Sequence, residues 1–121
     1  MRPWYSATSG TIYSPSYPLH YGTNKDCKWR IIAPYGQKVL IYFTLFDLEY
    51  NSDCNFDSVQ IFDGSSESYL NKRLTIACGN SLPRPVYSSD KYIYMRFQSD
   101  GSNQGRGFIA RYKALNDSSG G

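Results

Sequence analysis

Cysteine, histidine and unbroken apolar sequence are all scarce in this 121-residue chain, and each shortage removes a class of function. The single histidine, His20, stands in a proline-rich turn. No G-x-S-x-G or comparable elbow surrounds any serine, so a nucleophile–base–carboxylate triad has nothing to assemble from, and no enzyme activity is expected. The three cysteines, Cys27, Cys54 and Cys78, are spread too widely for a zinc site. Their odd number leaves one pair and one remainder as the simplest account. No apolar run approaches membrane-spanning length, so membrane insertion by this segment is not expected. The net charge is only +3 and the thirteen basic residues form no run, which argues against nucleic acid. No signal peptide is visible at the start, and the segment reads as a piece of a longer chain.

What the chain has is tyrosine, twelve of them, with runs rich in Val, Ile and Thr that favour strands. The length suits one domain with a core of its own. Gly10–Tyr21 is turn-rich around a short extended piece, because two prolines fix φ and bias the residues before them. Cys27–Ala33 alternates, with Cys27, Trp29 and Ile31 on one face and Lys28, Arg30 and Ile32 on the other. Lys38–Leu48 is apolar on both faces and predicts a doubly covered central strand. Ser58–Phe62 and Tyr92–Gln98 alternate as strands, a short one fits Arg73–Cys78, and Phe108–Tyr112 closes the set. Short strands at regular spacing without helix or repeat predict an all-β antiparallel sandwich of two sheets. Residues 1–9 read as a lead-in and 114–121 as a flexible tail.

The densest chemistry lies in Phe46–Gly64. Asp47, Glu49, Asp53, Asp57 and Asp63 crowd there, with Glu67 just beyond, out of ten acidic residues in all. Clustered carboxylates repel unless a cation neutralises them, and hard loop oxygens suit calcium. Asp53-Cys-Asn55-Phe-Asp57 imitates the start of an EF-hand loop. Ser58 and Gly64 stand where that loop needs Gly and Glu, and a strand follows instead of a helix, so the EF-hand is rejected. Any further ligands must come from elsewhere in the chain.

The ordered anchors GTIYSPSYPLHY, CKWRI, the VLIYFTLFDLE strand, CNFDSVQIFDG, CGN and MRFQSDGSNQGRGFIARY resemble the CUB domain. The likeness covers residues 10–113. It implies a jelly-roll-like sandwich, an extracellular setting as a secreted protein or an ectodomain, and a non-catalytic module that binds other proteins and sometimes glycans. It also implies a calcium site. Carried over, the ligands are Glu49, Asp57 and Asp100, with oxygens from Ser102 and Asn103, and Tyr21 bonded to the carboxylates behind them. The implied disulfide is Cys54–Cys78, worth about 3–4 kcal/mol on the chain-entropy model. Cys27 matches a family cysteine whose partner is missing from this sequence, and an unpaired Cys27 is expected to be buried and inert.

Other features carry weaker expectations. Asp53 and Asp63 read as rim and turn residues, and Asp47 fits a solvent-facing role equally well. Lys28/Arg30 and Arg111/Lys113 sit on wet strand faces that would suit a glycosaminoglycan or an acidic partner. Trp4, Tyr5, Tyr69 and Tyr87 fall in loops as candidate contact residues. Asn116-Asp-Ser118 is a glycosylation sequon. The function expected is a calcium-stabilised interaction module whose acidic rim receives a partner's Lys or Arg. The alternative is a spermadhesin-like glycan-binding domain using basic faces and exposed tyrosines.

Overall fold

The computed structural model describes residues 5–6, 8–49, 54, 57–64, 73–101 and 105–116. Among these residues nine strands run in chain order: β1 Tyr5–Ser6, β2 Ser9–Tyr13, β3 Asp26–Ile32, β4 Gln37–Asp47, β5 Ser58–Phe62, β6 Arg73–Ala77, β7 Val86–Tyr87, β8 Tyr92–Gln98 and β9 Gly107–Asn116. They form a five-stranded sheet in the order β1-β3-β8-β5-β6 and a four-stranded sheet in the order β2-β9-β4-β7. Every pairing is antiparallel except β1 on β3. The expected two-sheet sandwich is what the chain forms.

Period-2 patterning decides what enters the space between the sheets. Trp29 and Ile31 of β3, Val59 and Ile61 of β5, and Ile93, Met95 and Phe97 of β8 face Ile12, Val39, Ile41, Phe43, Phe46, Phe108 and Ala110 of the other sheet, all buried. Phe108 is the node of this layer. Its ring meets Trp29 and Phe43 edge-on at 6.0 and 6.1 Å and lies tilted against Phe97 at 5.5 Å. Such offset and edge contacts are the favoured aromatic geometries.

β4 departs from its predicted double burial. Val39, Ile41 and Phe43 are inside, while Leu40 and Tyr42 are half-buried and Thr44 is exposed. A sandwich has two layers, so even a central strand has one outer face. The register of β4 on β9 slips between Phe43 and Leu45, leaving Thr44 as an extra residue. That bulge resets the alternation, and Phe43 and Phe46, three apart, both point inward with rings 5.4 Å from each other.

Four further differences from the sequence reading concern edges and faces. Part of the lead-in forms β1, which borrows the free edge of β3, and β9 continues to Asn116 because Ala114, Leu115 and Asn116 still find partners in Val39, Lys38 and Gln37. Tyr94 belongs to the outer face yet is fully buried, since the Arg30 guanidinium covers its ring at 5.3 Å and Phe62 packs beside it. Cys27 carries a free thiol that is half-buried where full burial was expected, because it lies near the sheet's end; burial still pushes its pKa up. A thiol so shifted is a weak nucleophile at neutral pH.

Phe108→Ala should remove about 3–5 kcal/mol, as large-to-small changes at a fully packed aromatic do. Urea denaturation of the variant checks this; a loss below about 1 kcal/mol would mean that Phe108 is not the node described.

Candidate metal centre

The sandwich brings four distant loops together at one end. Ser58 pairs with Gln98, so Asp57, just before β5, and Ser99–Asp100, just after β8, emerge side by side. Asp26 of β3 also pairs with Gln98, which brings the preceding turn, residues 21–25, onto the same end. β4 delivers Glu49 two residues past its last rung, and β9 begins there at Gly107.

Backbone hydrogen bonds fix these loops to one another. Asn24 donates to the Asp100 carbonyl at 2.8 Å, and Ser99 donates to that of Lys25 at 2.9 Å. The Ser99 hydroxyl accepts from the Lys25 N–H and donates to the Gly22 carbonyl, both at 2.9 Å. Leu48 N–H reaches Gly79 at 2.8 Å, beside the Cys54–Cys78 disulfide. Asp47 does not simply face solvent: its Oδ2 accepts the Arg106 N–H at 3.2 Å. Asp63 likewise holds the Ser89 N–H at 3.0 Å. Gly105 presses against the Asp47 carbonyl so closely that a Cβ there would collide with backbone.

Glu49, Asp57 and Asp100 each direct a carboxylate oxygen into one spot, all three within 4.8 Å of one another. Asp57 is wholly buried and the other two are half-buried. Behind them stands Tyr21, also fully buried. Its hydroxyl donates to Asp57 Oδ2 and accepts the Glu49 N–H at 3.2 Å and the Gly105 N–H. Asp57 Oδ1 takes the Asp100 N–H at 2.9 Å. The Tyr21 ring packs edge-on to Phe97 at 5.0 Å, which ties the cluster to the core.

Burial raises the pKa of Asp57; the hydrogen bonds from Tyr21 and Asp100 oppose this, and the charges of Asp100 and Glu49 add to it. Burial, then the bond to Asp57, also raises the Tyr21 pKa, so Tyr21 stays a donor at any ordinary pH. Three like charges at this separation are costly without a counter-ion. An all-oxygen donor set with no nitrogen or sulfur fits calcium. Ser102, Asn103, Asp53, Glu67, Trp4 and Tyr69 lie outside the described residues, as do the side chains of Tyr5 and Asn116. Tyr87 is exposed, as its candidate role requires. Sequence reading missed Ser99, Asp47 and Gly105 as organisers of the site, and a lone serine or glycine in a loop carries no periodic signal.

With this geometry in place, comparison with known proteins is specific. The CUB domain family matches residues 3–112, and the chain belongs to it. Human cubilin is 40% identical over 110 residues, which are 90% of this chain but 3% of cubilin. Human tolloid-like protein 1 is 37% identical over 105 residues, 86% of this chain and 10% of that protein. The chain therefore spans a small part of these relatives. Among solved structures, the extracellular region of zebrafish Gpr126/Adgrg6 superposes with a TM-score of 0.82 at 31% identity, covering 93% of this chain and 14% of that one. The MASP-1 CUB2 domain bound to Ca2+ superposes with a TM-score of 0.75 at 28% identity, covering 91% and 96% of the two chains.

The Asp57 shift has a defined sign. Its folded pKa lies above the ordinary carboxylate value, so in calcium-free buffer the fold takes up this proton before the unfolded chain does. Its contribution to stability is complete below about pH 4 and is lost as pH rises through the folded pKa. The melting temperature in EDTA should therefore climb on acidification toward the ordinary carboxylate range, and Asp57→Asn should flatten that climb. An unchanged slope in the variant would assign the effect elsewhere. Tyr21→Phe should cost about 1–3 kcal/mol in the same buffer, since it strips a donor from buried Asp57 and an acceptor from two backbone N–H groups.

Proposed function

We propose that this CUB domain is an extracellular, non-catalytic protein-interaction module whose Glu49, Asp57 and Asp100 hold one calcium ion. The convergence of the three carboxylate oxygens carries the reading. Ser102 and Asn103 are proposed to complete the ligand set from the same loop as Asp100. Bound calcium would supply the positive charge that lets three carboxylates share this spot.

The chain's own residues prepare the place. Tyr21 and the Asp100 N–H hold Asp57 in one orientation, with a carboxylate oxygen within 4.8 Å of those of Glu49 and Asp100. The Tyr21–Glu49 bond holds the end of β4 against the same point. Glu49 and Asp100 are only half-buried, so part of each residue reaches solvent, although Glu49 Oε1 itself is buried. That rim is proposed to receive a Lys or Arg of a protein partner as a charge-assisted contact. The MASP-1 CUB2 domain bound to Ca2+ supports the metal part of this reading.

The deciding experiment is a calorimetric calcium titration paired with thermal melts in calcium and in EDTA. One ion per chain and a higher melting temperature in calcium are expected. Asp100→Ala should abolish both while leaving the EDTA melt near that of the wild type. Retained calcium affinity in this variant would overturn the site. Affinity should also fall on acidification, because protons compete with calcium for Asp57.

A further inference from the structure

The charges of this chain are sorted between strands and loops. Among the described residues, five of the seven acidic ones lie outside the strands, whereas seven of the eleven basic ones lie within them. The five-stranded sheet contains Lys28, Arg30, Arg73 and Arg96 against a single carboxylate, Asp26. All five project from the outer face. Lys28 stands opposite Arg96, which stands opposite Gln60. Arg30, Tyr94, Phe62 and Arg73 form the next row, placing Arg30 and Arg73 about 14 Å apart across three strand spacings.

The guanidinium groups are held in place. Arg30 lies over the Tyr94 ring at 5.3 Å, and Arg96 makes a two-point pair with Asp26 at 2.9 Å per contact. Arg73 donates to Gln60 Oε1 at 3.3 Å, and the Gln60 amide donates on to Gln98 Oε1 at 3.3 Å. Beside this row runs an open groove of roughly 370 Å³, lined by Ser58, Gln60, Arg73, Ile76, Gln98 and Ser99, with Cys54 and Asp100 at its end. Its lining is amide, hydroxyl and guanidinium, with one aliphatic side chain, and the disulfide-bonded Cys54 and the acidic Asp100 lie at one end. A protein partner needs apolar or aromatic anchors. Stacked bases need exposed rings, and Tyr94 is fully buried.

From this arrangement we propose that the outer face of the five-stranded sheet binds a sulfated polysaccharide, with Lys28, Arg30 and Arg73 meeting its anionic groups and Gln60 and Gln98 its hydroxyls. The basic residues are not those of the carboxylate cluster, although the groove ends at Asp100, so this binding is argued independently of the function proposed above. Pre-aligned guanidiniums and amides lose little side-chain freedom on meeting such a chain.

The test is salt elution from heparin-agarose in calcium buffer, with a sulfopropyl exchanger as the reference for charge alone. Wild type should need clearly more salt on heparin than on sulfopropyl, and adding EDTA should not release it. Lys28→Glu/Arg73→Glu should elute from heparin at about half the wild-type salt or less, as screening of fewer contacts requires. Arg111→Glu/Lys113→Glu lowers the net charge by the same amount on the opposite sheet and should elute close to wild type. Thermal melts confirm that each variant folds, and Arg73→Gln alone, at an exposed edge position, gives a smaller shift in the same direction. Equal elution from both resins, equal loss in the two double variants, or displacement by polyglutamate as effective as by heparin would each overturn the proposal. Loss of calcium binding by Asp100→Ala with heparin retention intact would separate this surface from the metal site.

Discussion

One hydroxyl group holds the carboxylate-bearing end of this domain together. Tyr21 reaches Asp57, Glu49 and Gly105, which come from three different stretches of chain, and its own loop is a fourth. Each of those stretches ends or begins a strand, so the sandwich determines where they emerge, and the tyrosine determines how far apart they stand. The arrangement works because Tyr21 is buried and remains protonated: it can donate to a carboxylate and accept two backbone N–H groups without competing water. The carboxylates could not be gathered by their own interactions, which are repulsive. They are gathered by donors fixed to a β-sandwich.

Much of the fold could be read from the chain because alternation is a local property. β3, β5 and β8 fall within a residue of their predicted spans, and their inward residues are the ones the pattern selects. The failures share a cause. β1 and β7 are two residues each and have no period of their own. The bulge at Thr44 is a register decision made jointly with β9, and no single-strand pattern contains it. Tyr94 reads as an outer-face residue because nothing local says that Arg30, on a neighbouring strand, will cover it.

The site was legible in a different way. The density of acid in Phe46–Gly64 was visible, but density alone did not separate Asp57 from Asp63. Resemblance to a family selected Glu49, Asp57, Asp100 and Tyr21, and the structure brings these four together. The donors that hold them are backbone N–H groups of Glu49, Asp100 and Gly105. Backbone donors have no residue signature, so that half of the design is invisible in sequence. Asp47 and Asp63, by contrast, each hold a loop N–H, so acidity there stiffens turns without joining the cluster.

The pairing of β2 with β9 has a mechanical meaning. Ser9 lies opposite Lys113, so the start of β2, which follows β1, and the last part of β9 are neighbours at the end remote from the carboxylates. Tension applied through attachments at Ser9 and Asn116 would pull two antiparallel neighbours apart from their shared end. Such a load opens ladder bonds in succession, as a zipper opens, so the domain yields first at its attachments while the crosslinked, carboxylate-bearing end is the last to feel the force.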